Sequence, residues 1–544
     1  MIYRIHTLLI FITLSLSLTA QKEEYDNRYS GNKNKPEREE WLRDLGFGMF
    51  IHYTVDSQLG IVPSHSMVGA TDEYTNRFIN DLPKTFNPAR FDAYKIAMMA
   101  KLAGMKYVVF TTKHHSGFCM WDTKTTDFKI TNTPYKKDLL KEYVEGVRKA
   151  GLAVGFYFSP EDFKFLYDHK AVVKRGDIKL DDKTWSEYIE LIRAQTRELF
   201  TDYGKIDIFF IDGEPKEPCK EEVWKLQPEC VITRGAINTP EQYIPGTPLD
   251  MLWESCITMG TEWTYKPTND VLKSGSRLIE LLIDTRTKGG NLLLNVGPHP
   301  EGFVPIEQES RLLEISAWYF INKEAIDNVR PWIIPREENI SFTVSKDKKT
   351  LYGFIMGYPE WKQGERKEFV LHSVKATSGT KISVLGQNDL VVEYQNDVNP
   401  KSGFTQKEDG LHISVVRAQR IYSDYAWPNP ITFKLENIEK ALEPPVVSTT
   451  GSLVKENSVL LSGKALNPKE KENLKGAFEY HIYEGFSRNI QNVKWTTTNP
   501  LSLDSNGEFS ILLNNLEKGS EYEFRAIIHH PLITIRGEIK RFKF

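Results

Sequence analysis

A chain of 544 residues with 26% charged side chains is long enough for about three domains with full hydrophobic cores, so neither disulfides nor a structural metal is needed to hold it together. Its 70 basic and 73 acidic residues leave a net charge of −3, which supplies no basic surplus for nucleic acid and no acidic tail for a basic partner.

The N-terminus has Arg4 and His6, an apolar run from Leu8 to Leu18, and the small-residue step Leu18-Thr19-Ala20 before Gln21. That is the form of a secretory signal peptide, too short to span a bilayer. Residues 1–20 are therefore expected to direct a secreted or periplasmic location, with no membrane insertion of the mature protein and no cysteine placed to take a lipid. Residues 21–36 are polar and read as a loose leader.

From Trp41 onward, short apolar strands alternate with amphipathic helices. Strands are predicted at 48–53, 107–112, 152–158, 206–211, 230–233, 251–253 and 291–296, and helices at 91–103, 137–150, 184–203, 277–286 and 307–322. The helix over 137–150 gathers Leu139, Leu140, Tyr143, Val144 and Val147 on one face, and Gly151 closes it. Without a GxGxxG or P-loop, this pattern favours an α/β barrel, a (β/α)8-like domain over 21–335, above an open doubly wound sheet. Polar residues after barrel strands meet at one mouth, so His52, His114, His115, Ser159, Asp212, Arg234 and Asn295 are expected to share a pocket.

After residue 336 the texture changes to alternation without helices, as in Ile340-Phe342-Val344 and Leu411-Ile413-Val415, which predicts a β-sandwich over 336–441. Leu442-Glu443-Pro444-Pro445 reads as a stiff linker. The remainder, 442–544, is expected to be a fibronectin type III-like β-sandwich, with Leu516, Gly519, Tyr522 and Phe524 in a tyrosine-corner arrangement. Cys119, Cys219, Cys230 and Cys256 lack metal-ligand spacing, although Cys219 and Cys230 are able to pair in an oxidising compartment.

The strand Ile206 to Ile211 ends in Asp212-Gly213. Aspartate is poor in strands and costly to desolvate, so Asp212 either caps the following turn or points into a site. His114 and His115 follow another strand, where only a loop geometry lets both rings reach one ligand. Neither HxxE nor carboxylates at ligand spacing accompany them, so no metal is expected, leaving hydrogen bonding to a polyhydroxylated ligand or a packed structural role.

Five motifs stand in order along the chain: Phe47-Gly48-Met49-Phe50-Ile51-His52, the run from Thr111-Thr112-Lys113-His114-His115 to Trp121-Asp122, Gly155-Phe156-Tyr157-Phe158-Ser159-Pro160, Phe210-Ile211-Asp212-Gly213, and the run from Lys288-Gly289-Gly290-Asn291 to Asn295-Val296-Gly297-Pro298. Together they resemble the successive motifs of the α-L-fucosidases of glycoside hydrolase family 29. The resemblance covers about Trp41 to Pro331 and implies a retaining hydrolase without a cofactor, acting on fucosylated oligosaccharides or glycans. It carries the nucleophile to Asp212 and the acid/base to Glu241 in Thr239-Pro240-Glu241, with Glu254 after Trp253 competing because it follows a predicted strand. By similarity His52, His114 and His115 bind the sugar hydroxyls, Tyr157 lies beside the nucleophile, and Arg234 binds sugar or steadies a carboxylate. Phe210, Phe50 or Trp263 would face the sugar methyl.

The chain departs from many relatives at Tyr53, at Ser116 and in lacking a Glu-Trp-Tyr motif, where Ser64 to Tyr74 stand instead and offer His65 or Glu73 to the pocket. The reading is a secreted exo-acting α-L-fucosidase. The alternatives are the same fold acting on a related sugar such as a galactoside, a lapsed carbohydrate-binding protein and, less favoured, a metal-dependent hydrolase.

Overall fold

The computed structural model describes residues 31–246, 248, 251–419, 428–466, 468, 473–483 and 494–544. The expected signal peptide and residues 21–30 of the expected leader lie outside them. Residues 31–36 are not loose: the Asn34 side chain accepts from Ile232 N at 2.9 Å and donates to Ile232 O at 2.9 Å, so its amide pairs with a strand edge as another peptide would.

In chain order the first part comprises α1 (Pro36–Leu45), β1 (Phe47–Ile51), α2 (Asp72–Asn80), α3 (Ala93–Leu102), β2 (Tyr107–Lys113), α4 (Leu139–Ala150), β3 (Ala153–Phe158) and α5 (Phe163–Asp168). There follow α6 (Asp182–Thr201), β4 (Ile208–Ile211), α7 (Glu217–Leu226), β5 (Val231–Ile232), β6 (Glu254–Thr258), α8 (Gly275–Thr287), β7 (Asn291–Val296) and α9 (Ile306–Ile326). Aspartates start several of these helices: Asp92, Asp138, Asp162 and Asp181 each accept a backbone N–H three residues on. Sequence periodicity missed α1, α2, α5 and α7, of which α5 is a short six-residue helix.

The seven strands form one parallel sheet in the order β5-β4-β3-β2-β1-β7-β6. Laid flat at about 4.8 Å per strand, its edges would be about 29 Å apart. Yet Arg234, just after β5, reaches within 3.5 Å of Cys256 on β6, so the sheet is curled until its two edges nearly meet. The segment from Asn238 to Gln242 lies in the gap and bonds to β6 through Glu254 N to Asn238 O and Cys256 N to Pro240 O, both 3.0 Å.

Strand alternation sorts the side chains. Met49, Val108, Phe110, Phe156, Phe209, Leu292 and Leu294 face the helices, whereas Phe50, Tyr107, Val109, Tyr157, Ile208, Phe210, Val231, Cys256 and Leu293 form one inner cluster drawn from all seven strands. Tyr107 fits because its inner neighbour is Gly48, where a Cβ would lie 2.3 Å from the Tyr107 ring.

Strands β8 (Val329–Glu337), β9 (Ile340–Ser345), β10 (Thr350–Ile355), β11 (Arg366–Leu371), β12 (Val374–Val384), β13 (Gly403–Lys407), β14 (Gly410–Val416) and β15 (Ile431–Lys440) make a five-stranded and a three-stranded antiparallel sheet. Their shared core includes Phe342, Leu351, Leu411, Ile413 and Phe433, and β8 runs across position 335 to pair with β9. The segment 446–544 builds two further antiparallel sheets, with Val459, Phe478 and Phe524 between them. There the Tyr522 hydroxyl accepts from Glu517 N at 2.8 Å, the contact expected of a tyrosine corner. All four cysteines are buried free thiols, so Cys219 and Cys230 are not paired. No described helix is long and apolar enough to cross a membrane.

Candidate active site

Alternation delivers the site. Asp212 lies two residues beyond Phe210 and four beyond Ile208, both inward, and its N–H still bonds Phe158 O at 3.0 Å, so its side chain continues the inner face. Gly213 then turns the chain at φ 108°, and a Cβ there would lie 2.8 Å from Glu161 Cγ. A side chain at 213 is excluded by both strain and space.

Asp212 is only 17% exposed. Its Oδ2 accepts from the Tyr157 hydroxyl at 2.9 Å and lies 3.4 Å from His115 Nε2. Its Oδ1 accepts from Arg234 Nη1 at 3.0 Å, and Arg175 Nη2 stands 3.9 Å away. Burial alone would raise the carboxyl pKa, but Arg234, His115 and Arg175 outweigh it and hold the group well below the usual carboxylate range. Burial and the neighbouring Asp212 push the Tyr157 hydroxyl far up, so it stays protonated and donates.

Glu241 sits on the segment bridging the sheet edges, 39% exposed, and its Oε2 lies 2.9 Å from the same Arg234 Nη1. The nearest oxygens of Asp212 and Glu241 are thus separated by at most those two contacts end to end, about 6 Å, against the ~5–5.5 Å spacing of retaining carboxyl pairs. Arg234 is fixed by Thr239 Oγ1 on Nε at 3.3 Å and by the Phe210 ring 4.6 Å below its Cζ.

Glu254 is not at the mouth. The strand expected at 251–253 instead begins at Glu254, which makes this residue the first of β6 rather than its terminus. It is in register with Asn291, the first residue of β7, and accepts from Tyr107, the first residue of β2, at 2.5 Å. Burial raises its pKa to about 7. A run of two apolar residues and a tryptophan resembled a strand, but Leu252 and Trp253 fill the core at its entry.

The histidines follow from a bulge in β2. Thr111 pairs with Tyr157 and Lys113 with Phe158, so Thr112 is an extra residue that re-aims the strand end. His114 then stacks on Tyr157 with centroids 5.2 Å apart, its buried Nδ1 lacking a partner among the described residues. His115 is wedged between Asp212 and Glu161, its Nδ1 3.2 Å from Glu161 Oε2 and 2.6 Å from Ser159 Oγ. Burial lowers both ring pKa values.

His52 is defined more sharply. Asn295 Nδ2 donates to Trp263 O at 2.7 Å, which turns Oδ1 toward His52 Nδ1 at 2.6 Å. That oxygen only accepts, so Nδ1 carries the proton and Nε2 keeps a lone pair able to accept from a hydroxyl. Burial depresses this ring to about 3, so it is neutral at working pH. Trp263 lies 4.8 Å from His52 and 6.1 Å from Phe50, and Phe50 and Phe210 lie beneath at 5.0 Å from one another.

The structure therefore brings together Asp212, Glu241, His52, His114, His115, Tyr157, Phe210, Arg234 and Trp263, and leaves out Glu254. His65 is exposed, and Glu73 is 83% exposed and faces Arg77, so neither joins the site contacts. Sequence reasoning missed Glu161 and Arg175. The Ser159-Pro160-Glu161 step after a buried strand was a usable signal for the first, whereas nothing marks Arg175 in its polar connection. Ligand atoms of His114, His115 and Asp212 lie within 4.8 Å of one another, a spacing a cation could use. The two guanidinium groups beside Asp212 oppose a second positive charge there.

A family model described as alpha-L-fucosidase matches residues 12–324. The tissue alpha-L-fucosidase of Mus musculus is 31% identical over 399 residues, covering 64% of this chain and 84% of that protein. A putative alpha-L-fucosidase of Caenorhabditis elegans is 25% identical over 82% of this chain and 99% of its own length. Among solved structures, alpha-L-fucosidase isoenzyme 1 from Paenibacillus thiaminolyticus superposes with a TM-score of 0.60 at 25% identity, over 74% of this chain and 99% of that one. A Bacteroides thetaiotaomicron α-L-fucosidase, solved as a trapped covalent intermediate with 2-fluoro-fucosyl fluoride, gives 0.59 at 22% identity, over 75% and 98%.

Proposed function

The chain belongs to the α-L-fucosidase family of glycoside hydrolases, and we propose that it removes terminal fucose from glycans with retention, Asp212 acting as nucleophile and Glu241 as acid/base. The observation that carries this reading is Arg234 Nη1, which touches one oxygen of each carboxylate.

In a double displacement a proton and a bond change hands between the two carboxyls. Asp212, ionised, attacks the anomeric carbon while Glu241 gives its proton to the departing oxygen. Asp212 is then a neutral ester and Glu241 an anion. Water attacks next, its proton returning to Glu241 and the ester electron pair to Asp212. One negative charge is present throughout, and Arg234 lies within reach of whichever oxygen holds it. Tyr157 donates to Asp212 Oδ2, leaving Oδ1 or the other lone pairs to attack. His52 Nε2 and His114 Nδ1, which has no partner among the described residues, are suited to sugar hydroxyls, and Trp263 with Phe50 supplies the apolar side a deoxy sugar requires.

The curled sheet, helices and edge-bridging segment support a (β/α)8-like catalytic domain whose eighth position is taken by 238–242. We further propose secretion or periplasmic export through 1–20, and a division into a catalytic domain, a sandwich to 441 and a terminal fibronectin type III-like sandwich. The test is incubation with 2-fluoro-fucosyl fluoride followed by peptide mapping. Label is expected on the peptide holding Asp212, and label elsewhere overturns the assignment.

A further inference from the structure

We propose that Arg175 is a positioning residue for the second half of this reaction: anchored on Glu161, it holds a fixed cation beside Asp212 that stabilises this carboxylate as it is expelled from the glycosyl-enzyme. The inference rests on Asp212 being the nucleophile.

Arg175 comes from the 169–181 connection between α5 and α6, not from a strand end. Its Nε donates to Glu161 Oε2 at 3.0 Å, and Gly176 N donates to Glu161 Oε1 at 3.2 Å. Glu161 is wholly buried, so this pairing compensates a charge that would be costly to leave alone. With Nε committed, the guanidinium plane is set and Nη2 comes to 3.9 Å from Asp212 Oδ1. The groups facing Asp212 are Tyr157 from β3, His115 from the end of β2, Arg234 from the end of β5 and Arg175, with His52 and His114 in the next layer and Glu161 and Glu241 behind His115 and Arg234.

The two arginines differ in what else they serve. Arg234 divides Nη1 between both catalytic carboxyls, so it is drawn to Glu241 once Asp212 is esterified. Among the described residues Arg175 is otherwise paired with Glu161 alone, which takes no part in the chemistry, and it remains at Asp212. In the first step its field favours the free carboxylate and so does nothing to hasten attack. In the second, the water oxygen bonds to the anomeric carbon, its proton passes to Glu241, and the ester C–O pair returns to Asp212, where charge appears beside Arg175. Removing Arg175 should therefore slow deglycosylation and spare glycosylation.

The test uses the full chain with Arg175→Gln, Arg175→Lys and the doubly neutral pair Arg175→Gln with Glu161→Gln, which avoids stranding a buried carboxylate. With an aryl α-L-fucoside, both Gln variants are expected to lose about tenfold in kcat with a parallel fall in KM, to release a burst of phenol near one equivalent, and to move the acid limb of kcat/KM up by about one pH unit. Arg175→Lys should recover most of kcat. A fall in kcat/KM without a burst, or an unmoved acid limb, overturns the proposal. An inactive parent chain would instead remove the fucosidase reading. The Arg175–Asp212 link is then judged separately by the acid dependence of the thermal midpoint, where Arg175→Gln must lose its effect in an Asp212→Asn background. An effect that persists there refutes the link.

Discussion

Replacing Glu241 and Glu254 one at a time with glutamine separates the two halves of the molecule. Glu241 shares a guanidinium nitrogen with Asp212, about 6 Å away at most. Glu254 stands four residues before Thr258 in β6, whose partner Asn295 bonds His52, so at ~3.3 Å per residue it lies roughly 13 Å along the strand from that level, held by the Tyr107 hydroxyl. A lost general acid/base costs 10²–10⁴-fold, roughly 3 to 5 kcal/mol of barrier. Glu241→Gln should therefore lose that much kcat/KM on a fucosyl disaccharide, whose leaving alkoxide needs a proton. The loss should be far smaller with a dinitrophenyl fucoside, which needs none. Added azide, which attacks without a base, should restore turnover and yield a fucosyl azide of retained configuration. Glu254→Gln should stay within about threefold of the parent on both substrates. The reversed pattern, with Glu254→Gln sensitive to the leaving group and rescued by azide, would refute the reasoning, because a carboxyl one strand length away is unable to reach the glycosidic oxygen.

Glu254 should instead appear in stability. Burial raises its pKa to about 7, so its folded-state contribution is complete below the ordinary carboxyl value of 4.5 and is lost as pH rises through 7, a change of up to roughly 3 kcal/mol. Denaturant titrations at several pH values should show that loss in the parent and a flatter profile in Glu254→Gln. For Tyr157→Phe, the missing 2.9 Å bond to a carboxylate is worth about 1.5–3 kcal/mol. Asp212 is held ionised to a pH well below 3.8, so activity is lost only as pH falls through that low value. The variant should lose activity at higher pH, and an unmoved acid limb in kcat/KM would contradict this. Gly213→Ala forces a Cβ to 2.8 Å from Glu161 Cγ at φ 108°, and a drop in thermal midpoint with lowered kcat is expected. Exhaustive dialysis against a chelator should leave activity unchanged, since Arg234 and Arg175 occupy the electrostatic place a cation would take beside Asp212.

Most of the sheet was readable because each strand is a short apolar run between turn residues, and Phe209, Leu292 and Leu294 need no partner to announce burial. The sandwich that follows the parallel sheet was readable for a similar reason, through alternation in segments such as Leu411-Ile413-Val415. The sheet order was not. Curling makes Arg234 and Cys256 neighbours, and no local pattern encodes contact between the first and last strands of a row. The place of Glu254 was misjudged because a strand's start and its end have similar apolar texture, and only pairing with Asn291 fixes which end a residue occupies. Arg175 was invisible because its meaning lies in Glu161 and Asp212, which sit in other parts of the chain.

The sequence by itself determined that Asp212, His52, His114 and His115 stand at or just beyond strand ends and, through ordered motifs, the family to which the chain belongs, but not which end of its strand Glu254 occupies. Period-two alternation fixes the face of Asp212 relative to Phe210 before any tertiary contact forms. Tertiary structure alone decided which carboxyl meets Asp212, which imidazole nitrogen is left open on His52, and which guanidinium reaches Asp212 from a connection. Those are distances between groups far apart in sequence, set by how tightly the sheet closes on its core, and charge interactions depend on them steeply.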